Sequence, residues 1–186
     1  MGNPGTTRAA TALAAAVGLT IGLSGCGSDP NETDTSWAKD VTEHHAQTVQ
    51  LINLPLARPV PQAAVAWTDR ARERRVTELA QVERMLDGWQ EKVPETGLDH
   101  ADEGKHVTFD PSIPGVLDAA DVERVTALRG RAFVDAWLRR LIAHEQGAVT
   151  LAQREIDDGA NAEAVAFAKQ DMEVHQRQVA QLQSLL

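Results

Sequence analysis

The amino-acid sequence predicts an all-α protein: a four-helix bundle made of two duplicated helix hairpins, with a short extra helix before the third main helix. Residues 37–86 align without gaps on residues 137–186 with 11 identities over 50 positions, several times the number expected by chance. Within each copy, apolar residues recur every three or four positions, which is the period of an amphipathic helix. Because one hairpin cannot bury its apolar stripe alone, the two copies most simply pack together around a pseudo-two-fold axis.

The first hairpin contains two helices separated by prolines. Its stripes are Trp37, Val41, His44, Thr48 and Leu51 on the first helix, then Val65, Val76, Leu79, Val82 and Leu86 on the second. Pro55, Pro59 and Pro61 lie between these stripes, and proline cannot continue a helix. We therefore expect a helix, a proline-rich turn and a second helix.

The segment between the copies is predicted to be a long surface connection followed by a short helix. Residues 92–115 are rich in Pro, Gly and charge. Asp118 and Asp121 are typical of a helix start, and the short helix is expected to run through Leu128. Arg129-Gly130 then leads into the third main helix. A five-helix arrangement, with the short helix packed across the bundle, is an equally acceptable description.

The second hairpin repeats the pattern of the first. Its stripes are Trp137, Leu141, His144, Ala148 and Leu151, then Val165, Met172, Val179, Leu182 and Leu186. Residues 157–161, Asp-Asp-Gly-Ala-Asn, are turn formers and separate the two helices.

The N-terminus is typical of an exported bacterial lipoprotein. Arg8 precedes an apolar run from Ala9 to Leu23 that is too short and interrupted to span a membrane, and Leu23-Ser24-Gly25-Cys26 resembles a lipobox. Alternatives are an ordinary secretory peptide with a chance cysteine, or a buried free thiol. We predict a lipoprotein signal peptide over 1–25, a flexible tether over 26–35 and the bundle over 36–186. The lipid on Cys26 then anchors the chain on the extracytoplasmic side of the cell membrane.

The charge and the single cysteine restrict the classes of partner. The formal net charge is −9, so no basic surface is expected to offset the repulsion of phosphates, and nucleic acid is not an expected partner. Once Cys26 is lipidated, no thiol remains for a disulfide. A protein partner in the cell envelope remains open, as does the oligomeric state.

Histidines and carboxylates at equivalent places in the two copies form the candidate functional site. Glu43-His44-His45 aligns with Ala143-His144-Glu145, and the helical stripes direct His44 and His144 toward the core. Facing helices of a bundle commonly build transition-metal sites from such side chains. The predicted ligands of a divalent transition metal such as copper or zinc are His44, His45, His144 and Glu145, completed by Glu78 and His175 from the following helices. The alternative is that His44 is a core histidine paired with Glu145 or Glu78, without any metal.

Other chemistries have little support in the sequence. A Glu-x-x-His pair occurs only at Glu103–His106, within the polar connection, which argues against a di-iron oxidase. Met85 and Met172 are the only methionines besides the initiator, so a thioether-rich copper(I) surface is absent. His100 and His106 lie among acidic residues and are interpreted as part of a solvated loop. No catalytic residue is assigned, and a binding protein is favoured over an enzyme.

The run from Phe133 to Val149, FVDAWLRRLIAHEQGAV, resembles the signature of the domain-of-unknown-function 305 family, in which a hydrophobic helix ends in Met-Ile-x-His-His followed by Gly-Ala. Pro114-Gly115-Val116-Leu117 resembles the family's lead-in. The resemblance implies a ferritin-like helical bundle, commonly secreted or lipid-anchored, with copper or other metal binding in some members and no established general activity. Here Glu145 replaces the second histidine, and Leu141, Val82 and Leu182 replace the family's methionines. These differences argue against a copper(I) site and leave either a mixed His/carboxylate site or no metal site.

The sequence thus predicts an exported, lipid-anchored helical bundle that binds a transition metal through inward His and Glu residues. The alternative is a metal-free structural or protein-interaction module of the cell envelope.

Overall fold

The computed structural model describes residue 1 and residues 28–96 and 108–186. These residues form five helices and no strand: α1 Glu32–Asn53, α2 Gln62–Gly88, α3 Ala119–Ala127, α4 Gly130–Asp158 and α5 Ala162–Gln183. The predicted all-α bundle with a short extra helix is confirmed. Residues 2–25 of the predicted signal peptide lie outside the described residues, and so do Cys26, His100, Glu103 and His106.

The bundle is organised around α1 and α4, which run antiparallel at its centre. The Trp137 indole N–H donates to the Leu51 carbonyl at 2.9 Å near one end of this pair, and Arg154 binds Asp40 at 2.7 Å near the other. α2 packs on α1, α5 packs on α4, and α3 lies against α4. Each hairpin therefore contributes one central and one flanking helix.

Two apolar clusters hold the bundle together, one toward each end. The first contains Leu51, Trp67, Trp137 and Leu182, and the second contains Leu151, Phe167, Trp37 and Val82. These four residues of the first cluster have their repeat equivalents, 100 positions away, in the second. The polar middle of the bundle, which contains the histidines, is thus closed off by packed apolar side chains on both sides.

α1 begins inside the segment 26–35 that was predicted to be a flexible tether. α1 begins at Glu32, so residues 32–35 are helical rather than flexible. Asn31 accepts a hydrogen bond from the Asp34 backbone N–H, and the Asp34 carboxylate accepts one from the Asn31 N–H, which completes a capping box. Asp34 also accepts the backbone N–H groups of Ala160 and Asn161, so the helix start is fixed to the α4–α5 turn.

A buried pair of carboxyl groups lies at this junction. The Glu155 carboxyl lies beside Asp34, and both residues are fully buried. Burial and the neighbouring Asp34 carboxylate raise the pKa of Glu155 to about 8. Glu155 is therefore protonated in the folded protein at neutral pH.

We expect this pair to make stability fall as the pH rises. The folded-state pKa of Glu155 lies above its ordinary value, so the stabilisation is present below pH 4.5 and is lost progressively toward pH 8. Glu155→Gln removes this titration. Urea unfolding at several values between pH 5 and 9 should show a steeper decline of the free energy of unfolding for the wild type than for Glu155→Gln. Parallel curves would show that Glu155 is ionised in the folded state.

Within residues 28–96 and 108–186, no helix has the length and apolar character needed to cross a membrane.

Candidate metal centre

His44 and His144 meet at the pseudo-two-fold axis, as their equivalent positions predicted. Their rings stack with centroids 3.7 Å apart and planes 10° from parallel. His44 Nε2 donates to the His144 carbonyl at 3.0 Å. His144 Nδ1 donates to the Gly115 carbonyl at 2.9 Å, and its Nε2 lies 2.9 Å from the Thr48 hydroxyl. Both ring nitrogens of His144 are thus engaged with the protein.

A strap of residues 113–117 crosses α4 at His144 and supplies the Gly115 carbonyl. The Gln47 side chain fixes the strap, because its amide nitrogen donates to the Leu117 carbonyl at 2.7 Å and its oxygen accepts the Leu117 N–H at 2.8 Å. A Cβ atom at Gly147 would collide with the Pro114 carbonyl and lie 2.5 Å from the Gly115 Cα. Glycine at 147 is therefore what lets the strap approach the helix closely.

A second group, His45, Asp171 and His175, lies beside the axis and has the composition of a metal site. One ligand atom from each lies within 4.8 Å of the others. Asp171 Oδ1 is 3.2 Å from His175 Nε2 and 3.9 Å from His45 Nε2. All three residues are at most 3% exposed. Asp171 and His175 are one turn apart on α5, and the His45 side chain reaches them from α1.

Glu145 orients His175 for this group. The His175 Nδ1–H donates to the Glu145 carboxylate, which leaves Nε2 directed toward Asp171. Metal-binding histidines commonly donate their other ring N–H to a carboxylate in this way. Burial alone would lower the pKa of His175, but Asp171 and Glu145 raise it to about 9. The nearby positive charges of His175 and Arg75 lower the pKa of Glu145 to about 2, although burial opposes that shift.

The other three histidines among the described residues, His44, His45 and His144, are held neutral. Burial lowers the pKa of His144 to about 4 and lowers the pKa values of His44 and His45 well below their usual range, and Arg75 lowers them further. Arg75 NH1 lies 3.2 Å from His45 Nε2, so this nitrogen presents a lone pair toward Arg75 and Asp171.

Arg75 is a fully buried cation at the edge of the group. Its guanidinium donates to Glu78, donates to Gln178 at 2.7 Å and lies 3.6 Å from Glu145 and 3.7 Å from Asp171. These carboxylates raise its pKa against the effect of burial. Burial raises the pKa of Glu78 to about 7 in spite of Arg75.

The residues fit a metal ion because two imidazole nitrogens and a carboxylate oxygen, all buried, lie within 4.8 Å of one another. His175 Nε2 and Asp171 Oδ1 have no aligned hydrogen-bond partner and face each other at 3.2 Å as an ion pair. Because His175 is protonated when its pKa is about 9, a metal ion bound at Nε2 takes the place of that proton.

A groove between α2 and α5 leads from the surface to this group. It encloses about 680 Å³, and Glu78, Asp171 and Gln178 are among the residues along it. Its walls contain repeat equivalents, including Trp67 with Phe167 and Gln81 with Gln181. The groove therefore follows the same pseudo-two-fold axis as the buried site.

Comparison with protein families gives a match over residues 34–186 to DUF305, a domain of unknown function. The chain belongs to this family. The DUF305 match covers α2 to α5 completely and α1 from Asp34 onward. A search of curated protein sequences finds no significant match.

Solved structures of DUF305 proteins share the fold. A DUF305 fragment from Deinococcus radiodurans superposes with a TM-score of 0.69 and 21% identity, covering 84% of this chain and 97% of that one. A DUF305 protein from Streptomyces coelicolor, described as a candidate secreted protein, superposes with a TM-score of 0.68 and 18% identity, covering 83% of this chain and 91% of that one. CopM in its Cu(I)-bound form superposes with a TM-score of 0.62 and 14% identity, covering 83% of this chain and 95% of that one. CopM in its Cu(II)-bound form superposes with a TM-score of 0.64 and 15% identity, covering 81% of this chain and 93% of that one.

In this DUF305 chain the predicted site residues form two neighbouring groups. His44 and His144 stack on the axis, whereas His45, Glu145, Glu78 and His175 surround Arg75 and Asp171. The assignment of ligands among them stays a prediction. Sequence reasoning missed Asp171 and Arg75. Asp171 stands four residues before His175, and this helical spacing could have indicated it.

Proposed function

We propose that this DUF305 protein binds one transition-metal ion between His45 Nε2, Asp171 Oδ1 and His175 Nε2. Glu145 serves as the carboxylate that orients His175, and His44 and His144 serve as the rigid support beside the site. The observation that carries the proposal is the convergence of the three ligand atoms within 4.8 Å in a buried setting.

The ligand set favours a divalent ion. Two imidazoles and a carboxylate suit copper(II) and zinc, and copper(II) is bound more tightly than zinc by most nitrogen and oxygen ligands. A sulfur-rich copper(I) site is not supported, because Met85 and Met172 both pack with the same apolar cluster.

The fold likeness to CopM supports copper as the first ion to test. CopM is known in Cu(I)-bound and Cu(II)-bound forms and has the same bundle, at 14% and 15% identity. At that identity the likeness concerns the fold, so the choice of metal must be measured for this chain.

The test is a titration of residues 27–186 with copper(II) and with zinc against a chromophoric chelator of known affinity, followed by desalting and elemental analysis. The proposal predicts one retained ion per chain and a higher affinity for copper(II). Retention of no ion at micromolar metal would contradict it.

A second candidate is a metal-free structural or interaction module, and the position of Arg75 favours it. The guanidinium lies among Glu78, Glu145 and Asp171, so it balances the buried carboxylates without an ion. In this case the histidine substitutions would lower stability with no change in metal response.

We also propose that the chain is held at the membrane by lipid on Cys26, because Leu23-Ser24-Gly25 precedes this cysteine and an apolar run precedes them. In bacteria that express the full precursor, the wild type should be found in the membrane fraction and be released by detergent. Cys26→Ala should move the protein to the soluble extracytoplasmic or medium fraction. Equal membrane retention of the wild type and Cys26→Ala would contradict lipid anchoring.

A further inference from the structure

The internal duplication sets Arg75 where the second copy has His175. The same alignment sets His45 on Glu145. Each hairpin contributes one pair to the centre: Arg75 contacts His45 across α2 and α1, and His175 contacts Glu145 across α5 and α4. The two pairs are equivalent in position, but one ends in a permanent cation and the other in an imidazole.

The Arg75 guanidinium lies against all three proposed ligand residues, and its NH2 is 3.4 Å from His175 Nδ1. Its NH1 lies 3.2 Å from His45 Nε2 and 3.7 Å from Asp171 Oδ1, and its NH2 lies 3.6 Å from Glu145. Arg75 is 0% exposed, and an arginine cannot lose its proton at accessible pH. A fixed positive charge thus stands within hydrogen-bonding range of the site that a metal cation would occupy.

This charge opposes a second cation in a setting where screening by water is weak. The His45 lone pair and the Asp171 charge that a metal would use are already directed at the guanidinium. The other partners of Arg75, Glu78 and Gln178, both lie along the α2–α5 groove. Arg75 can therefore keep these two partners while its contacts with His45 and Asp171 are released.

We propose that Arg75 is an internal competitor for the metal ion, and so the residue that sets the affinity of the site. It contacts the ligands His45 and Asp171 when no metal is bound, and it shifts toward Glu78 and Gln178 at the groove when a metal ion binds. This inference rests on the proposed metal-binding function and deepens it: the site is built for reversible rather than permanent binding.

The test compares copper(II) affinity, by chelator competition, in the wild type, Arg75→Gln and Arg75→Lys. Arg72→Gln is the matched control, since Arg72 is on the same helix and bonds to Asp69 and Asn53, away from the site. We expect Arg75→Gln to bind copper(II) at least tenfold more tightly, and Arg75→Lys and Arg72→Gln to stay within about threefold of the wild type. If Arg75→Gln and Arg75→Lys gain equally, or if folded Arg75→Gln gains nothing, the inference is wrong.

Arg75→Gln leaves Glu145 and Asp171 short of a cation, so its melting temperature in chelator should fall, and copper(II) should raise it more than in the wild type. If Arg75→Gln unfolds in chelator, recovery of its helical circular dichroism on adding copper(II) supports the inference, and failure to recover contradicts it. Binding by Arg75→Gln but not by the wild type would overturn the proposed function and leave Arg75 as a substitute for the ion. If the wild type binds copper(II) and Arg75→Gln gains no affinity, the proposed function stands and the role of Arg75 as a competitor is wrong.

Discussion

Replacing His45 and His175 together by glutamine should abolish stoichiometric binding of copper(II) and zinc. Both Nε2 atoms face Asp171, and glutamine keeps a polar side chain of similar length without an imidazole lone pair. Loss of even a residue that only supports a ligand commonly costs 10- to 100-fold in affinity, so loss of two ligands should exceed about 100-fold. Chelator competition and elemental analysis measure the loss, and circular dichroism confirms that the helices remain.

The matched control is the double variant His44→Gln with His144→Gln. These residues stack on the axis, and their hydrogen bonds go to the His144 and Gly115 carbonyls. The control should lower the melting temperature but retain one ion per chain. If His44 and His144 prove essential and His45 and His175 dispensable, the ligands are those that the sequence stripes favoured, and the proposed centre is wrong.

Gly147→Ala should destabilise the protein, whereas Gly88→Ala should not. A Cβ at Gly147 meets backbone atoms of Pro114 and Gly115, which cannot rotate away, whereas a Cβ at Gly88 meets nothing within 4 Å. Overpacking of this kind costs about 1–3 kcal/mol, and glycine to alanine in an open helical position gains up to about 1 kcal/mol. Urea unfolding measures the change in the free energy of unfolding for each of the two variants.

Displacement of the strap should also loosen His144, which depends on the Gly115 carbonyl. The exchange of the His144 imidazole N–H, followed by NMR, should be faster in Gly147→Ala than in Gly88→Ala. Equal stability of the two variants would mean that the strap can leave α4 without cost, and it would remove the structural explanation for the Gly-Ala sequence after His144.

The fold could be predicted because it depends on features that a sequence displays directly. The repeat of Trp37 at Trp137 and of Leu51 at Leu151 places equivalent residues in the two apolar clusters. α1 ends just before Pro55 and α4 just before Gly159, and both ends depend on residues next to them in the sequence. The start of α1 was missed although Asn31 and Asp34 form a local capping box; only the attachment of Asp34 to Ala160 and Asn161 is distant in sequence.

The site was predicted only in part, because a helical stripe does not decide which of two adjacent residues faces inward. The apolar stripe of α2 included Val76, yet Val76 is 62% exposed and Arg75 is fully buried. The reason is tertiary: Arg75 has buried carboxylate partners on α2, α4 and α5, and no single helix shows that arrangement. Similarly, His44 and His45 are both buried because α1 is covered by α2, α4 and the strap.

Anomalous X-ray diffraction from a copper(II)-loaded crystal tests the position of the metal ion most directly. We expect one strong anomalous peak in the middle of the bundle, at about 2.0–2.2 Å from His45 Nε2, an Asp171 carboxylate oxygen and His175 Nε2, with Arg75 moved toward the groove. A peak bound by His44 or His144 instead, or a fully loaded crystal with copper only on surface residues, would contradict it.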